Sequence, residues 1–379
     1  MHILSESFEN VKIWLLNSDL VIRDKNDDNC GGLHSFFDED KKEYGFVYPE
    51  ITGYFLSTLR FLNSVEKNDL YIEYGQKSAE WLLSIYEKYG GIIQGIYGQA
   101  PKKLSYSFDT AICAKGLLDY YALSDNKKFF EFGKKLVGEI VNETIQPDGS
   151  VLPYRNLINN QFEEDKNIWY MQYGCLHIKS VIPILQLYSI TKDNKLLEKA
   201  NLLCNSVSKF QNSDGSISLH NKGGSINLHT LCYAIEGLLY AFFITKNDQY
   251  LQNSIAAINW VIEHIEDDGS IELWFESKYR SKAAYPIAQL IRLMILVEKI
   301  SKNKYKSHYQ KLVKYLINFQ AKNNISNSNG GFYEENYKTM FGWKRRNRIN
   351  SWTSMFALQA IFWHENEHIS FDDSIKYLF

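Results

Sequence analysis

This chain of 379 residues lacks an excess of either charge: 42 Lys and Arg stand against 44 Asp and Glu. A molecule so balanced has no overall field to draw nucleic acid, so any charge selectivity must be local. It also lacks an uninterrupted apolar run approaching the roughly 18 residues that cross a bilayer, so no membrane insertion is expected. Residues 1–16 carry Glu6, Glu9 and Lys12 among apolar neighbours, an amphipathic helix pattern without the apolar core of a secretion signal. Cysteines are few, odd in number and far apart: Cys30, Cys113, Cys175, Cys204 and Cys232. Most sit among apolar residues and read as reduced core thiols, which places the protein in the cytoplasm. Zinc-spaced His/Cys clusters, a Walker loop, a dinucleotide fingerprint and a Gly-x-Ser-x-Gly nucleophile are all missing, and neither metal nor cofactor is expected. The acids Asp24, Asp27, Asp28 and Asp38 to Asp40 lie in an Asn- and Lys-rich loop and read as solvated, with calcium as the alternative.

What is abundant is aromatic and periodic. Aromatic residues make up 15% of the chain, with 26 Tyr, 22 Phe and 8 Trp, and the flat apolar faces and polar tips of Tyr and Trp suit sugar rings. A Gly-Gly or Asp-Gly turn followed by an apolar stretch occurs six times, with its second glycine at 32, 91, 149, 215, 269 and 331. Successive spacings are 59, 58, 66, 54 and 62 residues. Between these turns lies a second signal, Asn68-Asp69, Asp125-Asn126, Asp193-Asn194, Asn247-Asp248 and Lys302-Asn303, where Asn and Asp tolerate a tight reversal.

Each period therefore holds two helices. The segment before each Asn/Asp turn is almost wholly apolar, as in 111–123, 178–190 and 231–244, and the segment after it alternates apolar and charged residues at helical spacing. The first helix of a pair is inner and the second outer. The last inner helix, 352–365, has no outer partner after it, but the amphipathic segment 5–16 runs into Gly31-Gly32 as an outer helix should. The pattern predicts one all-α domain, 1–379, in which six helix hairpins form an (α/α)6 toroid closed by the N-terminal helix; an open solenoid of the same units is the alternative.

In such a ring the glycine turns share one end, where inner helices present free N–H groups to a mouth. The sequence places different polar and aromatic sets there: Tyr48, Glu50 and Tyr54; Tyr106, Phe108 and Asp109; Trp169, Tyr170, Tyr173 and His177; His229, Tyr233 and Glu236; Arg280, Lys282 and Tyr285; Trp352. Loop residues Arg155, Trp274 and Tyr333 are positioned to close over them. Glu50 and Asp109, in the first turns of neighbouring inner helices, have the residue types needed for general acid and base across a glycosidic bond. Acids that merely stabilise a helix start would look the same. His229 with Tyr233, and His177 with Tyr173, form i, i+4 pairs suited to moving a proton on carbon, or to packing one inner helix on the next. Glu236, deeper among apolar residues, reads as a structural partner. Arg345 and Arg348, in a basic run before the last inner helix, suit either anchorage of an anionic group or a solvated loop.

The hairpin repeat, the Asp-Gly-Ser turns, and Ser107-Phe108-Asp109-Thr110 leading into Gly116-Leu117-Leu118-Asp119-Tyr120-Tyr121 resemble the six-hairpin glycosidase-type proteins, in particular unsaturated glucuronyl and rhamnogalacturonyl hydrolases. That resemblance implies a catalytic aspartate near an inner-helix start, here Asp109. Tyr48-Pro49-Glu50-Ile51-Thr52-Gly53-Tyr54 and Asn350-Ser351-Trp352-Thr353 are similar to proteins of bacterial surface-polysaccharide loci. The expected partner is thus a carbohydrate, and the leading expectation is a glycoside hydrolase for an acidic or amino-sugar glycan using Glu50 and Asp109. A sugar epimerase or polysaccharide lyase using His177 or His229, and a non-catalytic glycan-binding or assembly factor, are the alternatives.

Overall fold

The computed structural model describes residues 2–379, among which thirteen α-helices alternate with short strands. The inner helices are α2 (Pro49–Val65), α4 (Ser107–Ser124), α6 (Val181–Thr191), α8 (Leu228–Thr245), α10 (Ala284–Ile300) and α12 (Ser351–Glu365). The outer ones are α1 (Glu6–Asn17), α3 (Asp69–Tyr89), α5 (Lys127–Glu139), α7 (Asn194–Asn205), α9 (Asp248–Ile262) and α11 (Lys306–Ile317). Together they form the (α/α)6 toroid that the periodicity predicts. The anticipated turn residues do physical work. Side chains of Asn68, Asn126, Asp193 and Asn247 accept hydrogen bonds from the first-turn N–H groups of α3, α5, α7 and α9.

Closure of the ring is visible in one repeated contact. Gly31, Gly149, Gly215 and Gly269 adopt positive φ and press against backbone carbonyls of α3, α7, α9 and α11, so closely that a Cβ would lie 2.2 to 2.6 Å from the carbonyl oxygen. Gly330, φ 93°, presses in the same way on the carbonyl of Asn10 in α1. The first helix therefore takes the sixth outer position, with Phe8, Val11, Trp14 and Leu15 buried. One apolar core runs through all six hairpins. The only helix among the described residues apolar and long enough to cross a membrane is α8, an inner helix of this core.

Two features lie outside the helical pattern. Short strands of two to five residues pair into small sheets among the loops. A short α13 (Phe371–Ile375) and the residues after it pack among the inner helices. There Arg60 donates to the Lys376 carbonyl (3.2 Å), Gln359 to that of Tyr377 (2.9 Å), and Arg292 to that of Phe379 (3.1 Å).

Candidate active site

Helices α2 and α4 approach unusually closely because both carry glycine at the crossing. A Cβ on Gly116 would sit 2.3 Å from the Gly53 carbonyl oxygen, and one on Gly53 would sit 2.8 Å from that of Ile112. This contact lies one to two turns below Glu50 and Asp109, and it holds the two helix starts side by side. Both carboxyls line a cavity of about 330 Å³. Around them stand Tyr48, Tyr106, Phe108, Trp169, Tyr170, Tyr233, Tyr285 and Trp352, with Gln94 and His229. Eight aromatic rings, two carboxyl groups and no Lys or Arg define the lining.

Neither carboxyl serves as a helix cap; those positions belong to Tyr48 and Tyr106. Asp109 Oδ2 is buried without a hydrogen-bond partner. Burial is the main cause that pushes the Glu50 carboxyl up to about 7, opposed by the Tyr48 phenol and the Lys179 charge. Asp109 is held well above the ordinary carboxylate range, first by burial and then by the negative charge of Glu50. Helix N-termini favour anions, but here desolvation wins. The two carboxyls thus hold protons more tightly than free carboxyls do, and ionisation of one disfavours ionisation of the other.

His229 lies on the opposite side of the ring, and its tautomer follows from its neighbours. Glu236 Oε1 accepts from Arg292 Nη2 (2.6 Å) and from Gln289 Nε2 (3.2 Å). The Gln289 amide is thereby turned so that its Oε1 meets His229 Nδ1 at 2.5 Å. An oxygen there can only accept, so Nδ1 carries the hydrogen and Nε2 is a bare acceptor. Burial, with the Lys179 and Arg292 charges as lesser causes, lowers the imidazole to about 3 and keeps it neutral. Lys179 completes the group beneath the cavity, 2.7 Å from Glu236 Oε2 and 4.3 and 4.8 Å from the ring centres of Tyr233 and Tyr54. Glu236 is thus the ion-pair partner its apolar setting suggested. Tyr54 is part of the floor, donating to the Tyr233 hydroxyl at 3.1 Å.

Several expected site residues are elsewhere. The third inner helix opens with a 3-10 turn, Cys175–Ser180, which turns His177 away from the cavity lining; it stacks on Tyr173 at 6.1 Å, and burial lowers it to about 4. Tyr173 itself donates to the Gly149 carbonyl (3.2 Å). Trp274 stands edge-on to Trp169 (5.9 Å) and buttresses the lining from outside. The arginines have local partners: Arg155 donates to the Gly90 carbonyl (3.0 Å), Arg345 lies over the Tyr333 ring (4.7 Å), and Arg348 pairs with Asp38 (3.3 Å). Tyr333 donates to Glu39 (3.0 Å). One ion pair, Arg348 to Asp38, and one hydrogen bond, Asn347 to Asp40, tie the basic run to the acidic loop, while Arg346 pairs with Glu335, and neither segment lines the cavity. Lining residues that sequence reasoning did not single out are Gln94, Ile51, Leu176 and Thr230. These carry no signal beyond their place near a strand or helix start.

No family model matches this sequence, and no curated protein matches it closely. Solved structures do match its fold. A D-mannose isomerase superposes with a TM-score of 0.76 at 11% identity, covering 95% of this chain and 96% of its own. The cellobiose 2-epimerase of Bacillus thermoamylovorans B4167 gives 0.74 at 14%, covering 94% and 98%. The unsaturated glucuronyl hydrolase of Bacillus sp. GL1, responsible for degradation of glycosaminoglycan, gives 0.70 at 10%, covering 94% and 96%. The architecture shared with these three enzymes is the (α/α)6 toroid.

Proposed function

We propose that the chain is a single catalytic toroid domain, a cytoplasmic glycoside hydrolase whose acid and base are Asp109 and Glu50. The observation that carries this reading is the pairing of two buried carboxyls, both raised, in one aromatic cavity. Asp109, whose raised pKa favours its protonated form, donates to the glycosidic oxygen as the bond breaks. The Glu50 carboxylate faces the oxocarbenium-like charge that develops and takes the proton of the attacking water. Tyr48 and the stacked rings hold the sugar and exclude bulk solvent. With two carboxyls and no cation in the lining, a uronate or sulfated sugar is poorly served; the preferred unit is an amino sugar or its neutral acylated form. Asp109→Asn tests the assignment against a panel of such oligosaccharides. Lost turnover with retained binding supports it, and turnover equal to the parent's overturns it.

A second reading, sugar epimerisation or isomerisation, draws on the bare Nε2 of His229 and on fold relatives named for those reactions. It lacks a second histidine in the cavity, because His177 lies outside the lining. Solvent deuterium appearing on carbon next to a sugar carbonyl, abolished by His229→Asn, would establish it instead.

A further inference from the structure

The strand Glu335–Thr339 pairs with Gly342–Arg345 to form a hairpin whose tip is Met340-Phe341. These two side chains are 94% and 97% exposed, the most exposed large apolar residues among those described. Isolated apolar residues on a surface are ordinary, but what lies behind these two is layered. Beyond the small Thr339–Gly342 pair next to the tip comes the cross-strand pair Lys338 and Trp343. Three cations crowd this indole: Lys282 at 5.0 Å, Lys338 at 5.4 Å and Arg280 at 5.9 Å from the ring centre. Only Arg280 is ion-paired, to Glu272; Lys282 donates to the Ser270 hydroxyl, and Lys338 has no carboxylate partner among the described residues. Behind them come Lys344 opposite Tyr337 and Arg345 opposite Asn336.

The order is apolar tip, then indole with cations, then further cations. That is the order in which a bilayer is crossed from its acyl boundary outward through anionic headgroups. Two residues of strand separate the tip from the Lys338 level, about 7 Å at 3.4 Å per residue, which matches the roughly 5–10 Å depth of interfacial insertion. We infer that this hairpin docks the protein reversibly on an anionic phospholipid surface, with Met340 and Phe341 entering the acyl boundary and the Trp343 collar meeting the phosphates. The contribution of each basic side chain near such a surface is modest, so binding requires the apolar and the cationic layers together. The hairpin is tied to the mouth, because its first strand pairs with Ser281–Ala283, which runs directly into α10 and the cavity residue Tyr285. Docking therefore brings the mouth to the lipid surface. This inference is independent of the reaction catalysed.

The test is co-sedimentation of the full chain with vesicles of phosphatidylglycerol and phosphatidylcholine, or of phosphatidylcholine alone. Binding is expected to the anionic vesicles only. Met340→Ser with Phe341→Ser should weaken it at least tenfold, as should Lys338→Glu with Lys344→Glu, and 0.5 M salt should reduce it several-fold. These positions are exposed, so circular dichroism and melting should match the parent. No binding to anionic vesicles, or equal binding by the Met340/Phe341 variant, overturns the proposal. So does a parent that does not bind vesicles but self-associates through the hairpin, which would make the occupant a second copy of the chain.

Discussion

Asp109 and Asp119 lie ten residues apart on the same helix and are both buried, yet their surroundings are opposite. Asp119 is met by Lys115, by Arg60 at 2.6 Å and by Gln186 at 2.8 Å, and those cations hold its carboxyl below the usual range against the cost of burial. Asp109 has an unpartnered oxygen, a second carboxyl for a neighbour and a cavity in front of it. Burial alone does not distinguish a structural acid from a chemical one. What distinguishes them is whether the protein has already supplied the countercharge.

The largest expected effects come from exchanging those roles. Asp109→Asn should lower kcat by about 10²- to 10⁴-fold, the range for loss of a general acid, with glycan affinity retained in equilibrium binding. Asp119→Ala should leave kcat of the folded enzyme within a few-fold but cost about 3–5 kcal/mol of stability in denaturant unfolding, because Lys115 and Arg60 are left uncompensated. If Asp119→Ala is stable but inactive, the contrast is wrong.

Next is Glu50→Gln, for which a fall of about 10²-fold or more is expected. In the parent, Glu50 must be ionised, so kcat/KM rises with pH and levels off above about 7; Asp109 must stay protonated, so activity falls again at higher pH. Glu50→Gln should abolish the acid limb. The stability signs are opposed too. A carboxyl whose folded pKa is raised binds its proton more tightly in the native state, so it destabilises progressively as pH rises from about 4.5 to 7, and Glu50→Gln should therefore melt higher at neutral pH by an amount equivalent to about 1–3 kcal/mol. Asp119, with a lowered pKa, instead stabilises above its unfolded value and loses that contribution on acidification.

Smaller effects sharpen the boundary of the site. Trp352→Ala should raise KM about 3- to 10-fold with kcat less affected, as expected for a lost stacking face. Arg345→Ala and Arg348→Ala should change kcat/KM by less than about twofold, since both lie outside the cavity, and stability by about 1 kcal/mol, since the two arginines are themselves exposed or half-buried although Tyr333 and Asp38 are buried. A tenfold loss there would reopen an anionic substrate.

The toroid was legible because its turn chemistry repeats: Gly31, Gly149, Gly215, Gly269 and Gly330 tuck beneath outer helices, and Asn68, Asn126, Asp193 and Asn247 cap four of them. Glu50, Asp109 and His229 were legible as polar first-turn residues on otherwise apolar helices. His177 looked equivalent, but the 3-10 turn at Cys175–Ser180 shifts the face it presents, and no pattern of side chains announces that shift. The fate of Arg348 depended on Asp38, 310 positions away, a pairing that local sequence cannot show. The buried group Lys179, Glu236 and Arg292 spans three inner helices, so only the closed ring reveals that it orients Gln289 and through it His229.

The closure by Gly330 on Asn10 also orders events in time. Helix α1 leaves the ribosome about 330 residues ahead of α12, the inner helix it covers, which at about 5–20 residues per second is a wait of roughly 20 to 70 seconds. Throughout it, Phe8 lacks the Phe362 ring it packs on at 5.7 Å, and Trp14 lacks both Gly331 and the Asn327 carbonyl to which its indole donates. The last hairpin to be synthesised is thus the step that withdraws an apolar segment from chaperones and from neighbouring nascent chains.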